Sequence, residues 1–470
     1  MIQTTRLPIR PRSIHRDFQS LVETDPSKAA LIDGATSSIT TYEELFCRSE
    51  ALAARYEERG LRAGDRLAIQ LPNSADFIAA FLAALKLRLT AVPIDRDARE
   101  SEIGPILSEL SIRALLYRTS DETAGALPPI SVRDVDAPNG EWVPLVKLTS
   151  GSTGRPKGIL TSEENLIADC ENICRTMDIR SDDRNLGAIP FSHSYGFSNL
   201  VTPLLLKGVT IVVSNDYLPL SVLDLCNRFE CTVMPGIPMI FDLLGQSPKS
   251  DGGFRTIRTF ISAGAPLTAA TSRRFRERFG IAIHSFYGCS EVGGIAYDRE
   301  GASVERNSVG APMIGVKLAF DANGRLVVES DAVARGFINA AGDDARRFGP
   351  HRFATDDLAT LTSSGELELT GRIGDLINIA GKKVNPREIE MVLLQMSGIR
   401  QAKVYGEAAG ARGEIVAAAI VAEPDVTREQ IREFCLERLS PHKVPRVIKL
   451  LETIPVDERG KFKRSALAAL

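Results

Sequence analysis

Short apolar runs alternate with amphipathic helical stretches along most of this chain, and that rhythm limits its fold more than any other feature. RLAIQLP, SADFIAAFLAALKLRL and TAVPI read in turn as strand, helix and strand. Buried strands joined through helices require a parallel sheet with helices on its faces. The order continues in VTIVVS, CTVMPG and TFISAG, with SVLDLCNRF and TAATSRRFRERFG as the intervening helices. Upstream, SSITTYEELFCRSEALAARYEERG supplies a Thr cap, a Glu at capping-box spacing and an amphipathic helix closed by Gly60.

After about residue 300 the texture changes to shorter alternating runs, GRLVVES and GELELTG, which read as antiparallel strands. Beyond residue 374, NPREIEMVLLQM and TREQIREFCLERL read as helices, and QAKVYGE and EIVAAAIVAE as strands. The expected fold class is therefore α/β. A large body of several parts, residues 1–373, has parallel sheets covered by helices plus a small β-barrel-like part. A small mobile α+β lid, residues 374–470, follows it. With 470 residues, 44% of them hydrophobic, the chain is long enough to bury more than one core.

The net charge of -3 gives no reason to expect nucleic acid or an anionic membrane surface as a partner. No run approaches the roughly 20 apolar residues of a membrane span. MIQTTRLPIRPRS lacks the apolar core of a signal peptide, and the seven cysteines include no CxxC pair, as expected of a cytoplasmic protein. Cys170 and Cys174, at helical spacing, read as buried packing.

The densest chemistry lies in LTSGSTGRPKGIL, residues 148–160, which follows EWVPLVKL and precedes the amphipathic helix TSEENLIADCENICRTM. Gly151, Gly154 and Gly158 let backbone approach an anion; Thr149, Ser150, Ser152 and Thr153 offer hydroxyls, and Lys157 a cation. An ordinary turn seldom needs all of these together, whereas a polyphosphate does. No Gly-Lys-Ser/Thr ending makes it a Walker loop, and no G-x-S-x-G spacing makes it a hydrolase elbow.

TSGSTGRPKG resembles the signature loop of the adenylate-forming superfamily, in which that loop holds the β- and γ-phosphates of ATP. Its companions follow in order. YGCSEVGG, residues 287–294, is similar to the family's Tyr-Gly-x-Thr-Glu segment, with Ser290 in place of threonine. By itself it reads equally as a Gly-rich turn with a surface Glu. The resemblance makes Glu291 a ligand of Mg²⁺, gives Tyr287 as an aromatic face for adenine, places Gly288 in the nucleotide site, and keeps a hydroxyl for phosphate at Ser290. FATDDLA, residues 353–359, resembles the Tyr-x-Thr-Gly-Asp-Leu stretch and assigns Asp357 to the two ribose hydroxyls. Phe353 and Asp356 depart from it, the latter expected to set a second carboxylate beside the ribose. GRIGDLINIAGKKVNPREIE, residues 371–390, matches the longest motif, with Arg372 at ribose and phosphate and Gly374 at the hinge. PVDERGKFKR, residues 455–464, resembles the closing motif and implies Lys461 as the catalytic lysine.

FSHSYGFSNL, residues 191–200, resembles the segment lining the acid pocket. His193 matches a position near the carboxylate; a buried histidine held by backbone is the other reading. Gly236, Gly264 and Phe286 are further expected walls, apolar enough for an aliphatic or aromatic acid. Amino-acid-activating relatives place Asp in this segment, which here has none. The resemblance thus implies ATP, Mg²⁺ and coenzyme A, with a small carboxylic acid activated as its adenylate. Two alternatives stand beside it: delivery to an acyl carrier protein in trans, and a non-catalytic nucleotide-binding relative.

Overall fold

The computed structural model describes residues 12–118, 126–135, 140–150, 156–214, 216–249, 252–340, 342–379, 382–408 and 414–455. The chain divides into two compact units, Met1–Lys317 with Val328–Phe353, and Leu318–Val327 with Ala354–Leu470.

Among the described residues, two large sheets form most of the first unit. The larger has nine strands, and its six central ones, Ile283–Cys289, Thr259–Ser262, Val233–Gly236, Arg184–Gly187, Thr210–Val213 and Ala29–Asp33, lie side by side in parallel. VTIVVS, CTVMPG and TFISAG are all among them. The second sheet has seven strands, with Leu145–Ser150, Thr90–Pro93, Arg66–Gln70 and Ile112–Tyr117 parallel at its centre. Its strand Pro156–Thr161 corrects the sequence reading, which runs the loop directly into a helix. Proline at a strand's first position removes no ladder bond that the pairing needs, so PKGILT extends as strand although its start reads as turn.

The helices form where capping and periodicity coincide. Helix Tyr42–Glu58 opens on a Thr41–Glu44 capping box and buries Leu45, Leu52 and Tyr56 along one face. Helix Glu163–Met177 is capped by Ser162 and ends at Asp178 in the left-handed conformation. Cys170 and Cys174 lie within it, buried, with their sulfurs 3.8 Å apart. Beneath the larger sheet, Phe241, Phe260 and Phe275 pack edge to face with centroids 4.9–6.1 Å apart. Each such ring contributes about 2–3 kcal/mol by burial alone.

In the second unit, strands Arg352–Leu361 and Leu367–Arg372 pair antiparallel, as GELELTG predicts. Helix Pro386–Leu393 has Asn385 as its N-cap, accepting from the Arg387 N–H at 3.1 Å. Strands Ile399–Ala408 and Glu414–Ala422 pair antiparallel, with Val447–Leu450 parallel to the latter. Ile389, Leu393, Val404, Val416, Ile431 and Cys435 share the core that this small sheet makes with its helices.

Candidate active site

In the first unit, the expected phosphate loop joins two antiparallel strands, Leu145–Ser150 and Pro156–Thr161, with Thr149 paired to Lys157 and Ser150 to Pro156. Gly151, Ser152, Thr153 and Gly154 lie outside the described residues. Lys157 does not point freely at solvent. Its Nζ is 2.6 Å from Asp344 Oδ2 and 5.4 Å from the centre of the Phe337 ring. Lys147, two residues before Thr149, is buried; burial lowers its pKa, opposed by the facing Asp169, Cys289 and Glu291.

Tyr287, Gly288, Ser290 and Glu291 occupy the end of strand Ile283–Cys289 and the turn into Gly293–Tyr297. That turn is fixed from beneath by Asp169 of helix Glu163–Met177, which is buried. One carboxylate oxygen accepts from the Gly294 N–H at 2.9 Å and the other from the Ser198 hydroxyl at 2.6 Å. Gly293, at φ 85°, leaves the space that the carboxylate fills: a Cβ there would stand 2.1 Å from Asp169 Oδ1. Glu291 stays half-buried on this turn, with its carbonyl accepting from the Ala334 N–H at 2.9 Å. Among the described residues no cluster of three His, Cys, Asp or Glu stands ready for a metal. One carboxylate suits Mg²⁺, which keeps waters and takes its remaining oxygens from a bound phosphate chain.

The acid segment meets the same turn. The Ser194 hydroxyl donates to Ser290 Oγ at 2.7 Å, so Ser290 is already engaged from the pocket side. His193, at the N-cap before Ser194, has Nε2 3.6 Å from Asp95 Oδ2, with both side chains about one-third exposed (30% and 33%). Its partner is a carboxylate, not the backbone. Tyr195 is held more deeply. Its hydroxyl donates to the Ile261 carbonyl at 2.9 Å and the Gly236 carbonyl at 3.3 Å, and its ring lies 5.7 Å from that of Phe286. Burial pushes the Tyr195 phenol far above its usual pKa. Gly236 and Phe286 are therefore brought together around Tyr195. Gly264, at φ 85°, lies where an added Cβ would touch Ile237 at 3.5 Å.

In the second unit, Asp357 is buried and pairs with Arg372, Nε to Oδ1 2.8 Å. Its N–H donates to Thr355 Oγ1 at 3.1 Å, and that hydroxyl donates to the Leu326 carbonyl at 3.0 Å. Asp356 faces the opposite side of the same strand, 3.4 Å from Arg325. The second carboxylate expected beside Asp357 is thus turned away, because successive side chains on a strand alternate faces. Gly374 lies in the short turn Ile373–Asp375, where an added Cβ would meet nothing within 4 Å. Lys461 lies outside the described residues.

Residues 18–338 match the family model "AMP-binding enzyme", and residues 388–461 match "AMP-binding enzyme C-terminal domain". The chain belongs to the AMP-binding enzymes. A feruloyl-CoA synthase from an Amycolatopsis species is 28% identical to this AMP-binding enzyme, covering 93% of this chain and 94% of its own. A long-chain-fatty-acid–CoA ligase from Mycobacterium tuberculosis is 26% identical, over 94% and 95%. The solved structure of o-succinylbenzoate coenzyme A synthetase from Bacillus subtilis, in complex with ATP and magnesium ion, has the same fold. It superposes with a TM-score of 0.81 at 24% identity, covering 96% of this chain and 99% of that one.

Sequence reasoning missed Asp95, Lys147, Asp169, Ser194 and Asp344 around these residues. Ser194 was within reach, being part of FSHSYG. So was Lys147, which immediately precedes LTSGSTGRPKGIL. Asp95, Asp169 and Asp344 carry no local signal, and only the fold brings them to the motifs. No helix among the described residues is long and apolar enough to cross a membrane.

Proposed function

We propose that this AMP-binding enzyme condenses a carboxylic acid with ATP and transfers the acyl group to coenzyme A. The observation that carries the reading is the Ser194–Ser290 hydrogen bond of 2.7 Å. It ties the segment matched to the acid pocket to the turn that carries Glu291, so acid and phosphate chemistry adjoin. The relatives named as CoA synthase and CoA ligase, alike over almost their whole length, support the same reading.

In the first step a carboxylate oxygen attacks the α-phosphorus, the bond from that phosphorus to pyrophosphate breaks, and an acyl-adenylate forms. The nucleophile is already ionised, so no general base is required. Bringing two like charges within 4 Å costs about 4 kcal/mol at an effective dielectric near 20. Lys157, the hydroxyl-rich loop with Thr149 and Ser150, and Lys461 offset that repulsion where charge develops. Glu291 would hold Mg²⁺, which supplies Lewis-acid neutralisation of the phosphate oxygens. Asp357 accepts from the ribose hydroxyls, with Arg372 orienting its carboxylate. In the second step the thiol attacks the acyl carbon and AMP leaves, with Gly374 as the hinge between residues 1–373 and the lid.

Tyr195 and Phe286 present an apolar wall, and the segment at 191–200 has no Asp for an ammonium group, so the acid is aliphatic or aromatic rather than an amino acid. ATP–pyrophosphate exchange over a panel of acids tests the first step. Exchange with none of them sinks the proposal. Adding coenzyme A or a phosphopantetheine carrier protein to the productive acid then decides the acceptor.

A further inference from the structure

The carboxylate on Lys157 has no role in the reaction above. Asp344 belongs to the short helix Asp343–Arg346, and its two oxygens face different cations: Lys157 Nζ at 2.6 Å and Arg347 Nη1 at 3.8 Å. Both cations lie over one ring, Lys157 at 5.4 Å and Arg347 at 5.9 Å from the centre of Phe337, and Arg347 also sits 4.8 Å over Phe353. Phe337 is itself anchored to the strand that bears Lys157. It pairs with Ile159, and the next N–H, of Ile338, donates to the Gly158 carbonyl at 2.8 Å. The cations are thus held by an aromatic floor as well as by Asp344, whereas Asp344 is held chiefly by the cations.

We propose that Asp344 is a built-in competitor for phosphate, which caps Lys157 in the nucleotide-free protein and yields to a polyphosphate that Lys157 and Arg347 then share. The proposal rests on the nucleotide reading of the site and adds Arg347 and Asp344 to it. A carboxylate and a phosphate oxygen make the same demand on an ammonium and a guanidinium. A polyphosphate brings several negative charges, so a carboxylate left between the same cations repels it. The pair is open to solvent, with Lys157 28% and Asp344 30% exposed, so the exchange of anions is inexpensive.

Calorimetric titration of the full chain with inorganic pyrophosphate is the direct test. Asp344→Asn should bind it roughly 3- to 5-fold more tightly than wild type, the range of a partly exposed ion pair. Arg347→Gln should bind it more weakly, and the gain from Asp344→Asn should vanish when combined with Lys157→Met. In exchange assays KM for ATP should fall in Asp344→Asn with less change in kcat, a split that a purely structural role does not produce. Asp344→Asn and Asp344→Ala both binding pyrophosphate no better than wild type, at unchanged melting temperature, overturns the proposal. So does failure of wild type and Asp344→Asn alike to bind it. The titrations are read whether or not any acid supports exchange, so loss of the proposed function and loss of this inference are separate outcomes.

Discussion

The turn that carries Glu291 and the stretch from Arg372 to Gly374 are both motif segments, yet the protein builds them by opposite rules. Around Glu291 every neighbour is committed. Asp169 accepts from Gly294 and Ser198, Ser194 donates to Ser290, and glycines stand where no side chain fits. Arg372 pairs with Asp357, but Gly374 itself is left open: its φ is not positive and an added Cβ would meet nothing within 4 Å. The first arrangement suits a group that must be in place before reaction, since preorganisation removes the cost of ordering it at each turnover. The second suits a segment that must change its backbone angles during reaction.

Substitutions can break this contrast. The largest expected effect is on stability: Asp169→Ala leaves two donors unmatched and removes a carboxylate facing the buried Lys147. A loss of about 3–5 kcal/mol, read as a lowered denaturation midpoint, is expected. A loss under about 1 kcal/mol would show that the turn is not locked from beneath. Lys461→Ala should leave stability intact but slow pyrophosphate exchange by about 100-fold or more. Thioester formation from supplied acyl-adenylate should survive, and equal loss in both half-reactions would erase the division of labour between the units.

The framework that carries both regions was legible in the sequence, but the long-range partners of the site were not. The strands and helices follow from periodicity and caps: Thr41 in the first unit and Asn385 and Pro386 in the second each open a helix as their chemistry requires. Pro156–Thr161 was hidden because Pro, Lys and Gly together look like turn, although they pair with Leu145–Ser150. Asp356 was placed beside Asp357 from adjacency in sequence, but strand geometry sends it across to Arg325. Asp95, Asp169 and Asp344 meet His193, Gly294 and Lys157 from far along the chain, and neither composition nor spacing marks such pairs.

Two smaller effects sharpen the comparison. Asp357→Asn weakens the acceptor proposed for the ribose and loosens the Arg372 pair, so KM for ATP should rise about tenfold, in line with a charge-assisted hydrogen bond. An unchanged KM would remove Asp357 from the nucleotide site. Gly374→Ala should change stability by less than about 0.5 kcal/mol, because space and backbone permit the methyl group. Gly374→Pro should slow thioester formation more than adenylation; equal slowing of both would argue against a hinge at this residue.

The glycines of the Glu291 turn have a consequence for any attempt to map this enzyme by saturation mutagenesis. A side chain at Gly288 would come within 2.3 Å of the Gly293 carbonyl oxygen, and one at Gly293 within 2.1 Å of Asp169. Neither collision leads to a flexible side-chain end that swings away. Variant libraries should therefore score both positions as intolerant as the reacting residues themselves. Gly293, which the sequence reading assigned to no substrate, would pass for catalytic in such a survey only because it has no side chain.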